Sequence, residues 1–300
     1  MALSGTIPPV ALIHWPDEDV PLKDPVELEI GFGRGDFLRK VSTLNPHVTY
    51  VGVDRSWGSV KRAYRRLRDR DNVHLVWGDV WAFLMFGMRS VKFHRVFSLF
   101  PDPWPKKKHE HRRMFNADFW RLLSLRTKED AHVSVVSDEI FFVRWAYDNA
   151  LSTGCWWGYI SETERRFGTK YEERWLREGK RVYQAVLTKE RECDFRIPGS
   201  ELRIPRLKSV KYDLRSGDYA LPGGSHLSVK EVIIDRSGDR ILIRAVVSEG
   251  NLLHKVWFVL YRKGDVWYLK PSDFSKYFPT VGLQNALDLL AEMLGGEAPL

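Results

Sequence analysis

The chain has 300 residues, of which 44% are apolar and 29% are charged, a composition typical of a globular protein with about two domains. It contains no run of about 18 apolar residues and its first residues lack a signal peptide's features, so we expect a cytoplasmic protein without a membrane span. The net charge of +8 is compatible with an anionic partner without establishing one. The spacing of the two cysteines makes a disulfide framework improbable, and neither the cysteines nor the histidines have the spacing of a metal site.

Residues 1–25 are rich in proline and are expected to form an extended lead-in over the surface. Val26–Ile30 then alternates apolar and acidic residues, as a short strand does. Three glycines at alternate positions follow, and helical spacing resumes at Asp36. The glycines are Gly31, Gly33 and Gly35. A strand, a glycine turn and a helix in this order form the nucleotide pocket of open α/β sheets, although ordinary tight turns are also rich in glycine. A dinucleotide fingerprint would need a glycine where Asp36 stands, which argues against a nicotinamide dehydrogenase.

The next strands end in acidic residues. A β-branched run over 48–53 leads to Asp54, which is placed to bind ribose hydroxyls or to cap the helix that follows. That helix, predicted over 59–70, carries six basic side chains against one acidic side chain. Its charged face could follow a phosphate backbone or could equally be a solvated outer face. A third strand over 72–77 is followed by Asp79 and an apolar helix.

A fourth strand over 93–100 runs into a loop with three prolines in five residues, 101–105. The prolines stiffen the loop, from which Asp102 and Trp104 project. A basic stretch follows immediately. An acid and an aromatic residue beside a cationic stretch suit an extruded nucleobase, because the acid accepts ring N–H groups and the cations bind phosphates. The alternative is a proline-rich turn before a charged helix.

The Glu29-x-Gly31-x-Gly33-x-Gly35 pattern resembles motif I of class I S-adenosylmethionine methyltransferases. Together with Gly52-Val53-Asp54, Gly78-Asp79-Val80 and the Pro-Asp-Pro-Trp loop, it resembles the bacterial tRNA (guanine-N7)-methyltransferases, the TrmB family, over about residues 25 to 190. The family's closing signature is matched by Thr169-Lys170-Tyr171-Glu172. The resemblance implies methylation of guanine 46 of tRNA with S-adenosyl-L-methionine as methyl donor. From the cysteine and histidine spacing we expect no metal, and the protein is expected to be a monomer or a homodimer.

The resemblance also implies the roles of individual residues. Asp102 is the expected catalytic residue and also borders the cofactor. The other cofactor-binding residues are expected to be Glu29, Gly31, Gly33, Gly35, Asp54 and Asp79. The residues expected to bind the nucleoside or RNA are Lys106, Lys107, Lys108, Arg112, Arg113, Asp138, Thr169, Lys170, Tyr171 and Glu172. Asp138 follows a fifth predicted strand, 131–137, where it could also cap the next helix.

The expected fold is an α/β, Rossmann-like class I methyltransferase domain over 1–192, with a mostly parallel seven-stranded sheet. Its last strands are predicted at 156–160 and 181–188. Residues 193–300 are predicted to form a smaller β-rich domain, because short β runs alternate with turns such as Ser237-Gly238-Asp239 before a final helix over 282–294. This domain could bind tRNA or simply pack on the first domain. Two other functions stay open: a methyltransferase for protein or small molecules, and an RNA-binding module without catalysis.

Overall fold

The structure, a computed structural model, describes residues 10–12, 22–163, 167–169, 179–275 and 277–295. The chain folds as two compact units, Met1–Phe195 and Arg196–Leu300. The strands of the first unit are β1 (Val10–Leu12), β2 (Val26–Ile30), β3 (Thr49–Asp54), β4 (Val73–Trp77), β5 (Phe93–Leu99), β6 (Thr127–Ser137), β7 (Trp156–Glu162) and β8 (Tyr183–Lys189). Its helices are α1 (Asp36–Leu44), α2 (Trp57–Leu67), α3 (Val80–Phe86), α4 (Ala117–Leu125) and α5 (Ile140–Ser152).

The first unit is built on one eight-stranded sheet in the order β1-β4-β3-β2-β5-β6-β8-β7. In this order, every neighbouring pair from β1 across the sheet to β6 is parallel. β8 runs antiparallel to both of its neighbours, β6 and β7. The mostly parallel seven-stranded sheet is therefore confirmed, with β1 added at one edge from within the proline-rich lead-in. Strand order reverses at β2, which lies between β3 and β5. Open α/β sheets bind ligands at such a switch point, outside the carboxyl ends of the strands.

Helices α1 and α2 pack on the β3–β4 part of this sheet through a buried apolar cluster. Leu38 of α1 and Val60, Ala63 and Leu67 of α2 are fully buried against Leu75 of β4. The spacing of these α2 residues places them on one helical face, so the charged residues of α2 lie on its other faces. This packing fixes the glycine turn, which lies between β2 and α1.

Cys155 and Cys193 form a disulfide, with their Cα atoms 5.8 Å apart and both residues buried. The spacing of the cysteines had made a disulfide improbable, and that expectation was wrong. The cause lies in the sheet: β7 and β8 pair with Trp156 opposite Lys189, so Cys155 lies beside the chain that leaves β8. The amide of Glu190 donates to the carbonyl of Cys155 at 2.9 Å and continues this pairing. A separation of 38 residues in sequence does not reveal such proximity.

The second unit is a six-stranded antiparallel sheet, in the order β10-β11-β12-β13-β14-β9, with a C-terminal helix. Its elements are β9 (Arg206–Leu207), β10 (Gly217–Ala220), β11 (His226–Ile234), β12 (Arg240–Glu249), β13 (Leu252–Lys263), β14 (Val266–Pro271) and α6 (Val281–Met293). The prediction of a β-rich region that ends in an amphipathic helix is confirmed. The short edge strands β9 and β10 were not predicted.

Candidate nucleotide and methyl-donor site

The glycine turn between β2 and α1 adopts a backbone conformation that favours glycine. Gly31, Gly33 and Gly35 have φ values of 76°, 56° and 74°. A Cβ atom added at Gly31 would meet no atom within 4 Å, whereas one at Gly35 would lie 2.9 Å from the side chain of Leu67. Gly35 therefore allows α1 to approach α2 closely, while Gly31 leaves backbone open beside the switch point.

Glu29 supplies a buried carboxylate directly before this turn. Its side chain is 3% exposed, and its Oε2 atom has no hydrogen-bond partner among the described residues. Burial, and to a smaller extent the carboxylates of Asp54 and Asp36, raise the pKa of Glu29 to about 8. A buried carboxylate without a partner is costly and marks a place where a cationic or hydrogen-bonding ligand would be stabilised.

Asp54 and Asp79 end β3 and follow β4 at the same edge of the sheet. The carboxylate of Asp54 accepts the amides of Gly33 at 2.9 Å and Ser56 at 2.8 Å. Burial raises the pKa of Asp54, and these two hydrogen bonds partly offset the rise. The carboxylate thus ties the glycine turn to the end of β3. The N-cap of α2 is Ser56 rather than Asp54, so the alternative reading of Asp54 as that cap was wrong.

Asp79 is the N-cap of α3, a role that sequence reasoning missed. Its Oδ1 atom accepts the amides of Trp81 at 2.9 Å and Ala82 at 3.3 Å. Both bonds use the same oxygen. Capping and ligand binding are therefore compatible in this side chain, whose pKa is raised by burial.

The proline loop after β5 is held in a strained conformation. Phe100 and Trp104, which flank the Pro101-Asp102-Pro103 segment, have φ values of 56° and 44°. Positive φ at residues with bulky side chains is costly and persists only where the surroundings enforce it, as they do at many functional sites. The Nε and Nη2 atoms of Arg113 each donate to the carbonyl of Trp104 at 3.2 Å and hold one end of this loop.

Asp102 projects from this loop with 74% of its side chain exposed, and its Oδ2 atom lies 3.9 Å from Nη2 of Arg55. Arg55 directly follows Asp54, so this contact places Asp102 at the same edge of the sheet as the acidic residues of the glycine turn. Sequence reasoning did not identify Arg55. Its position after the acidic end of β3 is the one signal that could have done so.

The basic stretch after the loop divides into an exposed part and a buried residue. Lys106, Lys107, Lys108 and Arg112 are exposed, the last three on a 3-10 helix. The guanidinium of Arg112 stacks 4.9 Å from the ring centre of Trp104.

Arg113, by contrast, is 8% exposed and lies over the rings of Phe141 and Trp145. Burial and the hydrogen bonds to Trp104 favour a positioning role for Arg113 over the expected contact with RNA.

The carboxyl end of β6 and the segment 167–169 border the same edge. Asp138, 12% exposed, forms an ion pair with Lys180 at 3.1 Å. It does not cap α5, whose N-cap is Glu139. Phe167 is buried and packs on Phe37 of α1 with ring centres 6.1 Å apart, which places this end of the segment beside the start of α1. Thr169 follows two residues later. The other members of that predicted group, Lys170, Tyr171 and Glu172, lie outside the described residues.

The donor set fits an S-adenosylmethionine-like ligand better than a metal ion. In the described part of the chain, no cluster of three or more His, Cys, Asp or Glu side chains could hold a metal. Within the same residues, no helix is long and apolar enough to cross a membrane. The unpartnered oxygen of Glu29, the open backbone at Gly31 and the acidic ends of neighbouring strands instead suit a ligand with an ammonium group and hydroxyls.

Comparison with known proteins places the chain in a family. A family model described as "Putative methyltransferase" matches residues 23–185. The chain belongs to this methyltransferase family. A tRNA (guanine-N(7)-)-methyltransferase of Aquifex aeolicus is 26% identical over 287 residues, covering 91% of this chain and 96% of the relative. The Thermotoga maritima protein of the same name is 27% identical, and the alignment covers 91% of this chain and 90% of the relative. The Thermus thermophilus protein of that name is 34% identical, and the alignment covers 61% of each chain. Alignments over 91% of the chain must extend into the second unit, so some relatives match it there, beyond the range over which the motifs indicated a resemblance.

Proposed function

We propose that this methyltransferase transfers a methyl group from S-adenosylmethionine to N7 of guanine 46 in the variable loop of tRNA, in the cytoplasm. The names of the relatives support tRNA and the N7 atom as the target. The observation that carries the proposal is the position of Asp102, an exposed acid on a rigid loop whose neighbour Arg55 follows the acidic end of β3.

The cofactor would be held at the switch point by the glycine turn and the acidic residues around it. S-adenosylmethionine, when bound, supplies an electrophilic methyl group on a sulfonium. The unpartnered oxygen of Glu29 suits its ammonium group, and Asp54 suits the ribose hydroxyls. Asp79, with one oxygen outside its capping bonds, suits the adenine amino group. Gly31, Gly33 and Gly35 let the backbone come close to this ligand.

The target base would be held by Asp102, with support from Asp138. N7 of guanine is a ring lone pair without a proton, so no general base is needed to expose the nucleophile. The contribution of the chain is then positioning and the exclusion of water. A carboxylate that accepts N1–H and the exocyclic N–H of guanine would orient the ring and offset the positive charge that develops on methylation. The exposure of Asp102 leaves its oxygens accessible to a base.

The RNA backbone would lie along the exposed basic residues that follow the loop. Lys106, Lys107, Lys108 and Arg112 are suited to phosphates. Thr169, together with Lys170, Tyr171 and Glu172, would close over the nucleotide. Arg113 would act indirectly by holding the carbonyl of Trp104.

Methyl transfer from labelled S-adenosylmethionine, offered a tRNA pool and a protein extract in parallel, tests this proposal. We expect label in tRNA. Label in protein alone would favour the rival protein methyltransferase. An absence of heat on calorimetric titration with S-adenosylmethionine would favour a non-catalytic RNA-binding module.

A further inference from the structure

A second candidate RNA-binding surface lies on the outward face of α2 and at the end of β4. Five side chains of the α2 region recur at helical spacing on the face opposite the buried residues, and all are exposed. Together with Trp77 we call them the α2 stripe. The α2 stripe consists of Trp57, Lys61, Tyr64, Arg65, Arg68 and Trp77.

Two exposed tryptophans form one end of the α2 stripe. Trp57 and Trp77 are 41% and 39% exposed, and their ring centres lie 4.8 Å apart at an interplanar angle of 38°. The indole N–H of Trp77 donates to the carbonyl of Arg55 at 3.1 Å, which fixes this ring. Nζ of Lys61 lies 5.9 Å from the ring centre of Trp57. The pair is therefore an ordered aromatic platform with a cation beside it, exposed to solvent.

The basic side chains of the α2 region divide by face. On the inner flank, Arg66 pairs with Asp36 at 2.6 Å, and Arg70 pairs with Asp69 at 3.6 Å. Lys61, Arg65 and Arg68 form no ion pair with an acidic side chain within the described residues.

The positive charge of the α2 stripe is thus not neutralised by the protein itself. Such charge favours an anionic partner, because binding would release counterions.

We propose that the α2 stripe binds an unpaired stretch of the RNA substrate outside the methylated nucleotide. Stacking of bases on Trp57 and Trp77, with phosphates along the cations, is how proteins hold single-stranded RNA without reading its sequence. The α2 stripe begins beside the proposed site, because Arg55, whose carbonyl holds Trp77, also contacts Asp102. The inference rests on the proposed function, since it assigns this surface to the same RNA.

Two variants of the full-length chain test the two chemical features of the α2 stripe separately. The double variant Trp57→Ala/Trp77→Ala removes the platform, and Arg65→Glu reverses one charge. Trp157→Ala is the matched aromatic control, because Trp157 is 52% exposed on β7, at the opposite edge of the sheet. Arg144→Glu, on the exposed surface of α5, is the matched charge control. Binding to an unmodified tRNA transcript and to a 12-residue uridine oligonucleotide is measured by fluorescence anisotropy at two salt concentrations.

We expect the double variant to bind both RNAs roughly 5- to 150-fold more weakly, from about 1–3 kcal/mol for one base stacked on the platform. Arg65→Glu should also weaken binding. It should reduce the slope of log K against log salt by about 1, the contribution of one phosphate contact. Both controls should bind like the wild type. Calorimetry with S-adenosylmethionine should give the wild-type affinity for the double variant, which excludes a misfolded site.

Wild-type RNA affinity in both test variants would overturn the inference, and so would a loss of S-adenosylmethionine affinity without a loss of RNA affinity. The proposed function fails separately. If the wild type binds RNA through the α2 stripe but transfers no methyl group to tRNA, the RNA-binding role of the α2 stripe is supported and the proposed methyl transfer is refuted. If tRNA is methylated and neither test variant weakens binding, only the α2 stripe is refuted.

Discussion

Replacement of Glu29 by glutamine should stabilise the ligand-free protein and weaken its binding of S-adenosylmethionine. The carboxylate is 3% exposed, one of its oxygens has no partner among the described residues, and burial raises its pKa to about 8. Glutamine has nearly the same shape and cannot ionise. The substitution therefore removes the cost of keeping a buried carboxyl group protonated at a pH where the unfolded chain ionises it. It also removes the proposed partner of the cofactor's ammonium group.

The magnitude follows from the pKa difference between the folded and unfolded chain. The ordinary value is 4.5, so below that pH the residue is protonated in both states and has no effect on stability. As the pH rises from 4.5 to about 8, the unfolded chain releases this proton and the folded chain retains it, so the free energy of unfolding falls. At about 1.4 kcal/mol per pH unit, the loss reaches roughly 3 to 5 kcal/mol and then levels off.

Urea unfolding of the wild type and of Glu29→Gln at pH 5 and pH 8, without ligand, measures this effect. The difference in free energy of unfolding, variant minus wild type, should be roughly 3 to 5 kcal/mol larger at pH 8 than at pH 5. Glu129→Gln, at an exposed position on β6, is the control and should show no such gain. In calorimetry at pH 8, Glu29→Gln should bind S-adenosylmethionine roughly 10- to 100-fold more weakly, from about 1.5–3 kcal/mol for a hydrogen bond to a charged group. An equal pH dependence of stability in variant and wild type would refute the reasoning.

Three further predictions concern the loop, the basic stretch and the disulfide. Replacement of Lys106, Lys107 and Lys108 by alanine should lower tRNA affinity most at low salt and reduce the slope of log K against log salt by about 2, and an unchanged slope in anisotropy titrations would place the phosphates elsewhere. Arg113→Lys cannot reproduce the two bonds to the carbonyl of Trp104, so kcat/KM for tRNA should fall at least about tenfold with unchanged S-adenosylmethionine affinity, and wild-type kcat/KM would remove the positioning role. The Cys155–Cys193 disulfide spans 38 residues, so its reduction should lower the free energy of unfolding by up to about 4 kcal/mol. In Cys155→Ser, the reductant should have no such effect on stability. Two free thiols in the unreduced, denatured wild type would contradict the presence of the disulfide.

Much of the first unit could be predicted because its local patterns and its tertiary structure agree. The alternation in Val26–Ile30 and the glycines after it specify a strand and a turn whatever surrounds them. The strand β1 was missed because three residues within a proline-rich segment carry no periodicity, and only pairing with β4 makes them a strand. The helix α4 was also not predicted, although Asn116, whose side chain accepts the amide of Phe119 at 2.9 Å, is a typical N-cap signal.

The candidate site was predicted by residue type but not by side-chain environment. The motifs brought Glu29, Asp54 and Asp102 to attention, and the topology places all three strand ends at one edge. Within the basic stretch, however, the sequence does not distinguish exposed Arg112 from buried Arg113, because the distinction depends on which side chain the strained loop covers. The disulfide was missed for the same kind of reason, since sheet pairing rather than cysteine spacing brings its two ends together.

Mapping of N7-methylguanosine in tRNA tests the central claim most directly. A tRNA transcript is incubated with S-adenosylmethionine and either the wild-type chain or Asp102→Ala, and the RNA is then cleaved chemically at N7-methylguanosine. We expect cleavage at guanine 46 with the wild type and none with Asp102→Ala, while calorimetry shows that both bind S-adenosylmethionine. Methylation at a different atom or nucleotide, or full turnover by Asp102→Ala, would contradict the account.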